Sequence, residues 1–266
     1  MPALSWDSLR HRDPHARPLV IAHRGASDDM PENSLAAFRL ALDQGAEALE
    51  TDLRFTRDDE IVLMHDPTLE RTTDGAGAVG QLTLGETKKF HTRIPAARAS
   101  AASGEPPPTL AELLEFSRGE VPLVLELKDD RFLSPADATR LVALLEKFSM
   151  LDQCALVSFS LPRLQSVKQI APRVPIGLIT LTHPLPRFPT ELLGPFYPLL
   201  YVNPFYVRWA RRAGKIVCAL DPAPEPRLHW YRRLGVPALL SNHPARTRRE
   251  LARLYTAGPT GNPTTG

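Results

Sequence analysis

Ionisable side chains close several short apolar runs of this chain. His23-Arg24-Gly25 follows PLVIA, and Glu50 and Asp52 lie within EALETDL. His65-Asp66 follows EIVLM, and Glu126 and Lys128 lie within VPLVLELK. Glu50 and Asp52 are two residues apart, so on an extended chain both carboxylates point to one face. Glu126 and Lys128 repeat that spacing. Like charges side by side in a core are unfavourable unless something positive joins them. If these two segments are neighbouring strands, three carboxylates converge, and a divalent cation is their natural partner. All-oxygen ligation suits Mg²⁺ or Ca²⁺. Zinc would be expected to recruit cysteine or histidine, and Cys154 and Cys218 are not near. The alternative is that Glu50 and Glu126 pair with Arg24 and Lys128 in buried salt bridges without metal.

A lone histidine at a strand end is most often structural. Here His23 is followed by Arg24 and His65 by Asp66, and both stand beside the carboxylate cluster. That combination suggests an acid and a base. Asp66 either orients His65 or fixes a neighbouring loop. The remaining histidines lie in termini, loops or helices and read as solvated or structural. Three carboxylates set against a divalent cation, Arg24 and Lys128 leave one net positive charge, which matches a phosphodiester monoanion. Without the metal the same set is negative and repels it.

The elements that must position these groups alternate along the chain. Apolar runs at 18–23, 46–53, 121–128, 154–159, 174–180, 199–202, 215–220 and 237–241 read as strands, with 60–65 an extended continuation of the second. Helical patterns at 33–45, 135–148, 161–171, 204–214, 225–235 and 245–255 separate them. Asn33 is placed to cap the first helix, and Gly45, Gly214 and Gly235 fall where helices stop. Runs apolar on both faces, alternating with helices, point to a parallel sheet covered by helices. Eight such units favour a closed α/β barrel, (β/α)₈, whose site lies where the strands end. The interval between His65 and Val121 holds no clear strand. A loop this long after the second strand would overhang the site as a partial cap, with short helices at TLGETKKF and TLAELLEF.

Composition excludes several classes. The chain has 266 residues, 43% hydrophobic and 23% charged, enough to bury a core without staples. Two cysteines carry no disulfide framework and read as buried reduced thiols. There is no apolar run of membrane-spanning length, so no stable membrane insertion is expected. The first twenty residues lack the apolar centre of a signal peptide, and a cytoplasmic protein is the expectation. Residues 201–266 hold 11 Lys and Arg against 3 Asp and Glu. Arg208, Arg211, Arg212 and the arginines of 245–255 fall on surface helices and read as solvated, and no nucleic-acid motif accompanies them. We expect an N-terminal extension over 1–17, the barrel over 18–256 with an insertion at about 67–108, and a disordered tail over 257–266. The oligomeric state is not legible.

The segments AHRGAS, PENSLAAFRLALDQGAEALETDLRFTRDDEIVLMHD and PTLERTTDGAG resemble the glycerophosphodiester phosphodiesterase family. PTLAELLE, LELK and SFS extend the likeness over most of 18–255. The order HRG, PEN, ExD, HD is specific, whereas any one of them alone is weak. The resemblance implies a TIM barrel with a small insertion after the second strand. It also implies metal-dependent hydrolysis of glycerophosphodiesters to an alcohol and glycerol 3-phosphate. By position, His23 and His65 resemble the acid/base pair, and Glu50, Asp52 and Glu126 the metal ligands. Arg24 and Lys128 resemble the phosphate contacts. Glu32 and Asn33 are expected to close the loop after the first strand and cap the helix. A turn usually written Asp-Gly reads Asp58-Asp59, tolerable because Asp adopts positive φ at small penalty. The seventh strand ends in Ala219-Leu220-Asp221-Pro222 instead of a Trp-Thr-Val-Asn-like segment, which shrinks the aromatic wall. Asn242 stands where an aspartate is usual. The alternatives are the same chemistry on lysophospholipids at a membrane surface, or a non-catalytic ligand-binding barrel.

Overall fold

The computed structural model describes residues 6–93 and 104–256. Strands β1 (Leu19–His23) and β2 (Ala48–Phe55) flank helix α1 (Leu35–Asp43), and β3 (Ile61–Leu63) follows. Helices α2 (Leu84–Thr87) and α3 (Leu110–Ser117) precede β4 (Leu123–Leu127). Then come α4 (Pro135–Lys147), β5 (Cys154–Ser158), α5 (Leu161–Ile170), β6 (Ile176–Thr180) and β7 (Leu192–Pro195). The order ends with α6 (Pro198–Val202), α7 (Tyr206–Arg212), β8 (Ile216–Ala219), α8 (Leu228–Leu234), β9 (Ala238–Ser241) and α9 (Pro244–Thr256). All strands but β3 are parallel, and β1 pairs with both β9 and β2, so eight strands close into the expected barrel. The registers that matter place His23 opposite Glu50 and Asp52 opposite Glu126.

Three expectations are corrected. The sixth strand of the barrel is β7 at 192–195, whereas 199–202, expected as that strand, lies in a helix. Gly194-Pro195 breaks the strand pattern, and a short apolar run such as LLYV cannot be told from a buried helix by periodicity. Gly194 suits the strand because a Cβ there would lie 3.3 Å from the Ile179 side chain. Secondly, 60–65 does not continue the second strand. It turns back as β3, antiparallel to β2 and outside the barrel, through a turn with Asp59 at φ 68°. Thirdly, Ser34 caps α1, its hydroxyl accepting from the Ala37 amide at 3.1 Å. Asn33 is freed for the site.

The helices at the insertion carry capping boxes, Thr83 with Glu86 and Thr109 with Glu112, which fixes their starts. Residues 94–103 of the insertion and the tail 257–266 lie outside the described residues.

The N-terminal mouth of the barrel is closed from within the expected extension. Trp6, 2% exposed, packs with Leu19, Ile21, Val124, Leu192 and Leu240, and its indole N–H donates to the Gln153 carbonyl at 3.0 Å. Removing so large a buried ring leaves a cavity that rigid strands cannot fill. Trp6→Ala is therefore expected to lower the unfolding free energy by about 3–5 kcal/mol in urea titration. A loss under about 0.5 kcal/mol, ordinary for a surface change, would contradict the plug.

Candidate active site

The loop after β1 is shaped before any chemistry is asked of it. Arg24 and Gly25 both take positive φ, 57° and 84°. A Cβ on Gly25 would sit 2.6 Å from that of Ala37, so only glycine lets this loop lie against α1. The Arg24 amide donates to the Glu50 carbonyl and to its Oε2, each at 3.0 Å. Buried Asn33 donates from Nδ2 to Asp52 Oδ2 at 2.9 Å and accepts from the Thr51 hydroxyl at 2.7 Å. It therefore aims a carboxylate, a role that the helix-cap reading missed.

Glu50, Asp52 and Glu126 offer oxygens that all lie within 4.8 Å of one another. They are 4%, 0% and 6% exposed. Among the described residues this is the one group able to hold a metal ion. Lys128 Nζ lies 2.7 Å from Glu126 Oε1 and 3.4 Å from Asp52 Oδ1, and Arg24 Nε lies 3.1 Å from Asp52 Oδ2. Burial pushes the Glu50 carboxyl well up, and Asp52 adds repulsion. The same two effects push Glu126 up to about 7. Burial also acts on Asp52, but Arg24 and Lys128 reverse it and hold that carboxyl at about 2.

The metal-free alternative is short of positive charge. Arg24 and Lys128 serve Asp52 and Glu126, while Glu50 receives only a backbone amide. Asp52 Oδ1 and Glu126 Oε1 are buried without an aligned hydrogen-bond donor. An oxygen-only, anionic, incompletely satisfied donor set fits a hard divalent cation.

Both histidines are held by their Nδ1 atoms. His23 Nδ1 lies 2.7 Å from Asn242 Oδ1. The amide oxygen only accepts, so Nδ1 carries the proton and Nε2 keeps its lone pair. Burial, helped by Arg24, lowers His23 to about 4. His65 Nδ1 lies 2.6 Å from Asp66 Oδ1, so Asp66 does orient His65. Burial lowers His65 as well, against the pull of Asp52. His23 is therefore neutral at pH 7. Arg71, from the insertion, grips Asp66 and also Glu32, the latter through two bonds of 2.8 Å. Glu32 in turn reaches Arg24 at 3.1 Å. Lys128 also lies 5.6 Å from the ring centroid of Phe159. Asn242 is 219 residues from its partner, a pairing with no local signal. Arg71 stands five residues past Asp66, a spacing that could have flagged it.

The sequence model of the Glycerophosphoryl diester phosphodiesterase family matches residues 23–246. That match makes the chain a member of this family, and its class is that of phosphoric diester hydrolases. It is similar to a glycerophosphodiester phosphodiesterase of Caldanaerobacter subterraneus, 38% identical over 60% of this chain and 66% of that one. A Bacillus subtilis glycerophosphodiester phosphodiesterase is 29% identical over 86% of this chain and 84% of its own. Among solved structures, an Oleispira antarctica phosphodiesterase in complex with the product sn-glycerol-3-phosphate superposes with a TM-score of 0.78 at 27% identity. That superposition covers 88% of this chain and 97% of the other.

The raised carboxyls set a pH dependence. Between the ordinary glutamate value of 4.5 and about 7, folded Glu126 keeps a proton that the unfolded chain releases. Stability from this group is full below that window and falls as pH rises through it. A bound cation replaces the proton. Mg²⁺ or Ca²⁺ should therefore raise Tm more at about pH 8 than at about pH 5, and Asp52→Asn should abolish the increment. A pH-independent increment, or one surviving in Asp52→Asn, would contradict the site.

Proposed function

We propose that this site hydrolyses glycerophosphodiesters to an alcohol and glycerol 3-phosphate. Glu50, Asp52 and Glu126 would hold Mg²⁺ or Ca²⁺, His23 and His65 would move protons, and Arg24 and Lys128 would contact the phosphate. The observation that carries this reading is the lodging of three buried carboxylates between two cations, beside two imidazoles with fixed Nδ1 partners. The product named in the Oleispira complex supports the same choice of substrate.

Bound in the triad, a divalent cation supplies Lewis-acid stabilisation of charge on the phosphoryl oxygens. Arg24 and Lys128 orient and neutralise the non-bridging oxygens of the diester. One imidazole accepts the proton of the attacking hydroxyl as the new P–O bond forms. The other, in its imidazolium form, donates a proton to the departing alkoxide as the old P–O bond breaks. Asp66 stabilises the imidazolium form of His65, as the orienting carboxylate of a hydrolase triad does. Asn242 keeps the Nε2 of His23 unprotonated. The described part of the insertion that follows His65-Asp66 acts as a partial cap, tied down where Arg71 meets Asp66 and Glu32. The cluster of retained histidines and carboxylates argues against a non-catalytic barrel.

Positioned acid–base groups contribute about 10²–10⁴-fold each. His23→Ala and His65→Ala should each lower kcat by that factor with the fold intact by circular dichroism. Release of glycerol 3-phosphate from a panel of glycerophosphodiesters measures it. Near-normal turnover in either variant would overturn the assignment.

A further inference from the structure

The exposed apolar side chains are not spread over this barrel. Among the described residues, every large one follows the C-terminal end of β4, β5, β6 or β7, from Leu133 to Trp209 on α7. Phe159, Leu181, Phe196 and Val202 line that arc, and Phe159 stands against Lys128 of the site. The arc is half of the face that carries the chemistry. The other half, after β1, β2 and β9, is the charged cluster already described.

The same stretch of chain is almost free of negative charge. From residue 153 to residue 220 the sequence holds one carboxylate, Glu191. That residue immediately precedes β7, at the opposite end of the barrel, and is paired with Lys168 at 2.8 Å. Helix α7 buries Tyr206, Val207 and Ala210 and turns Phe205, Arg208, Trp209 and Arg212 outward, the spacing of one helical face. Phe205 and Trp209 are 52% and 42% exposed, with ring centroids 5.9 Å apart. Arg187, Arg208 and Arg212 make no ion pair with a described carboxylate. Helices of a barrel run antiparallel to its strands, so the aromatic start of α7 lies beside the mouth of the site.

Aromatic rings interleaved with unpaired arginines suit an interface whose inner layer is apolar and whose outer layer is anionic. A second copy of the chain fits less well, because a self-complementary contact would set these arginines against one another. We infer that this rim docks on an anionic lipid bilayer, with Phe205 and Trp209 in the headgroup region and the arginines on its charge. Docking turns the site toward the membrane surface and goes beyond the proposed function, on which it does not rest. No helix among the described residues is long and apolar enough to cross a membrane, so the contact is peripheral.

The test is co-sedimentation of the whole chain with vesicles of phosphatidylcholine alone and of phosphatidylcholine with about a third phosphatidylglycerol. Binding is expected only to the anionic vesicles, weakening with salt, with a blue shift of tryptophan fluorescence. Phe205→Ser with Trp209→Ser should weaken binding about tenfold or more, as should Arg208→Glu with Arg212→Glu. Both variants should keep full turnover on soluble glycerophosphocholine. No association with either vesicle overturns the inference, and so does binding that survives both double variants. Concentration-dependent self-association, lost in Phe205→Ser with Trp209→Ser and without vesicle binding, would assign the rim to a second copy instead. Vesicle binding without hydrolysis of any diester would sink the phosphodiesterase reading and leave the docking surface standing.

Discussion

Three carboxylates buried within 4.8 Å of one another repel, and the rest of the molecule is arranged around that repulsion. Water cannot screen them, so their proximity persists only if the backbone imposes it and nearby cations offset it. The backbone imposes it through register. Glu50 and Asp52 share one face of β2, and the pairing of β2 with β4 sets Glu126 level with Asp52. Closure of the barrel brings His23 level with Glu50 on the other side. A shift of one residue in either pairing would turn side chains to the opposite face and disperse the cluster.

The cations are held as firmly as the anions. Arg24 is presented by two consecutive residues in left-handed conformation, possible only because Gly25 follows it against α1. Its guanidinium spans Asp52 and Glu32, and Arg71 continues the chain to Asp66 and His65. A polar path thus joins the triad, the loop after β1, the insertion and one imidazole. The other imidazole is anchored separately, to Asn242 just after β9. The two histidines are therefore positioned by different partners, one anionic and one neutral. Opposite this charged half, the site opens onto the apolar rim. One end of the barrel thus presents a charged side and a greasy side.

Much of this was legible in the sequence because the barrel strands are short apolar runs and the reactive groups fall at their ends. Spacings of two on 50–52 and 126–128 reported shared faces directly. What escaped depended on contacts distant in sequence or on backbone detail. Gly194-Pro195 disguised β7, and apolar 199–202 passed for the strand. Asn33 read as a cap because its residue type suits one, whereas the adjacent Ser34 takes that role and Asn33 turns to Asp52. The link of His23 to Asn242 and the seat of Trp6 inside the barrel have no periodic signature. The arginines of α7 were read as solvated and are exposed, but only the folded helix shows Phe205 and Trp209 beside them.

The central claim is that the triad is a cation site. Calorimetric titration of the metal-stripped chain with Mg²⁺ and with Ca²⁺, in buffers of different ionisation enthalpy, tests it most directly. The account predicts one saturable site per chain, with protons released on binding near neutral pH because Glu126, pushed up to about 7 by burial, must give its proton up. It also predicts loss of that site in Glu126→Gln. Absence of saturable binding for both ions, or unchanged binding in Glu126→Gln, would contradict it.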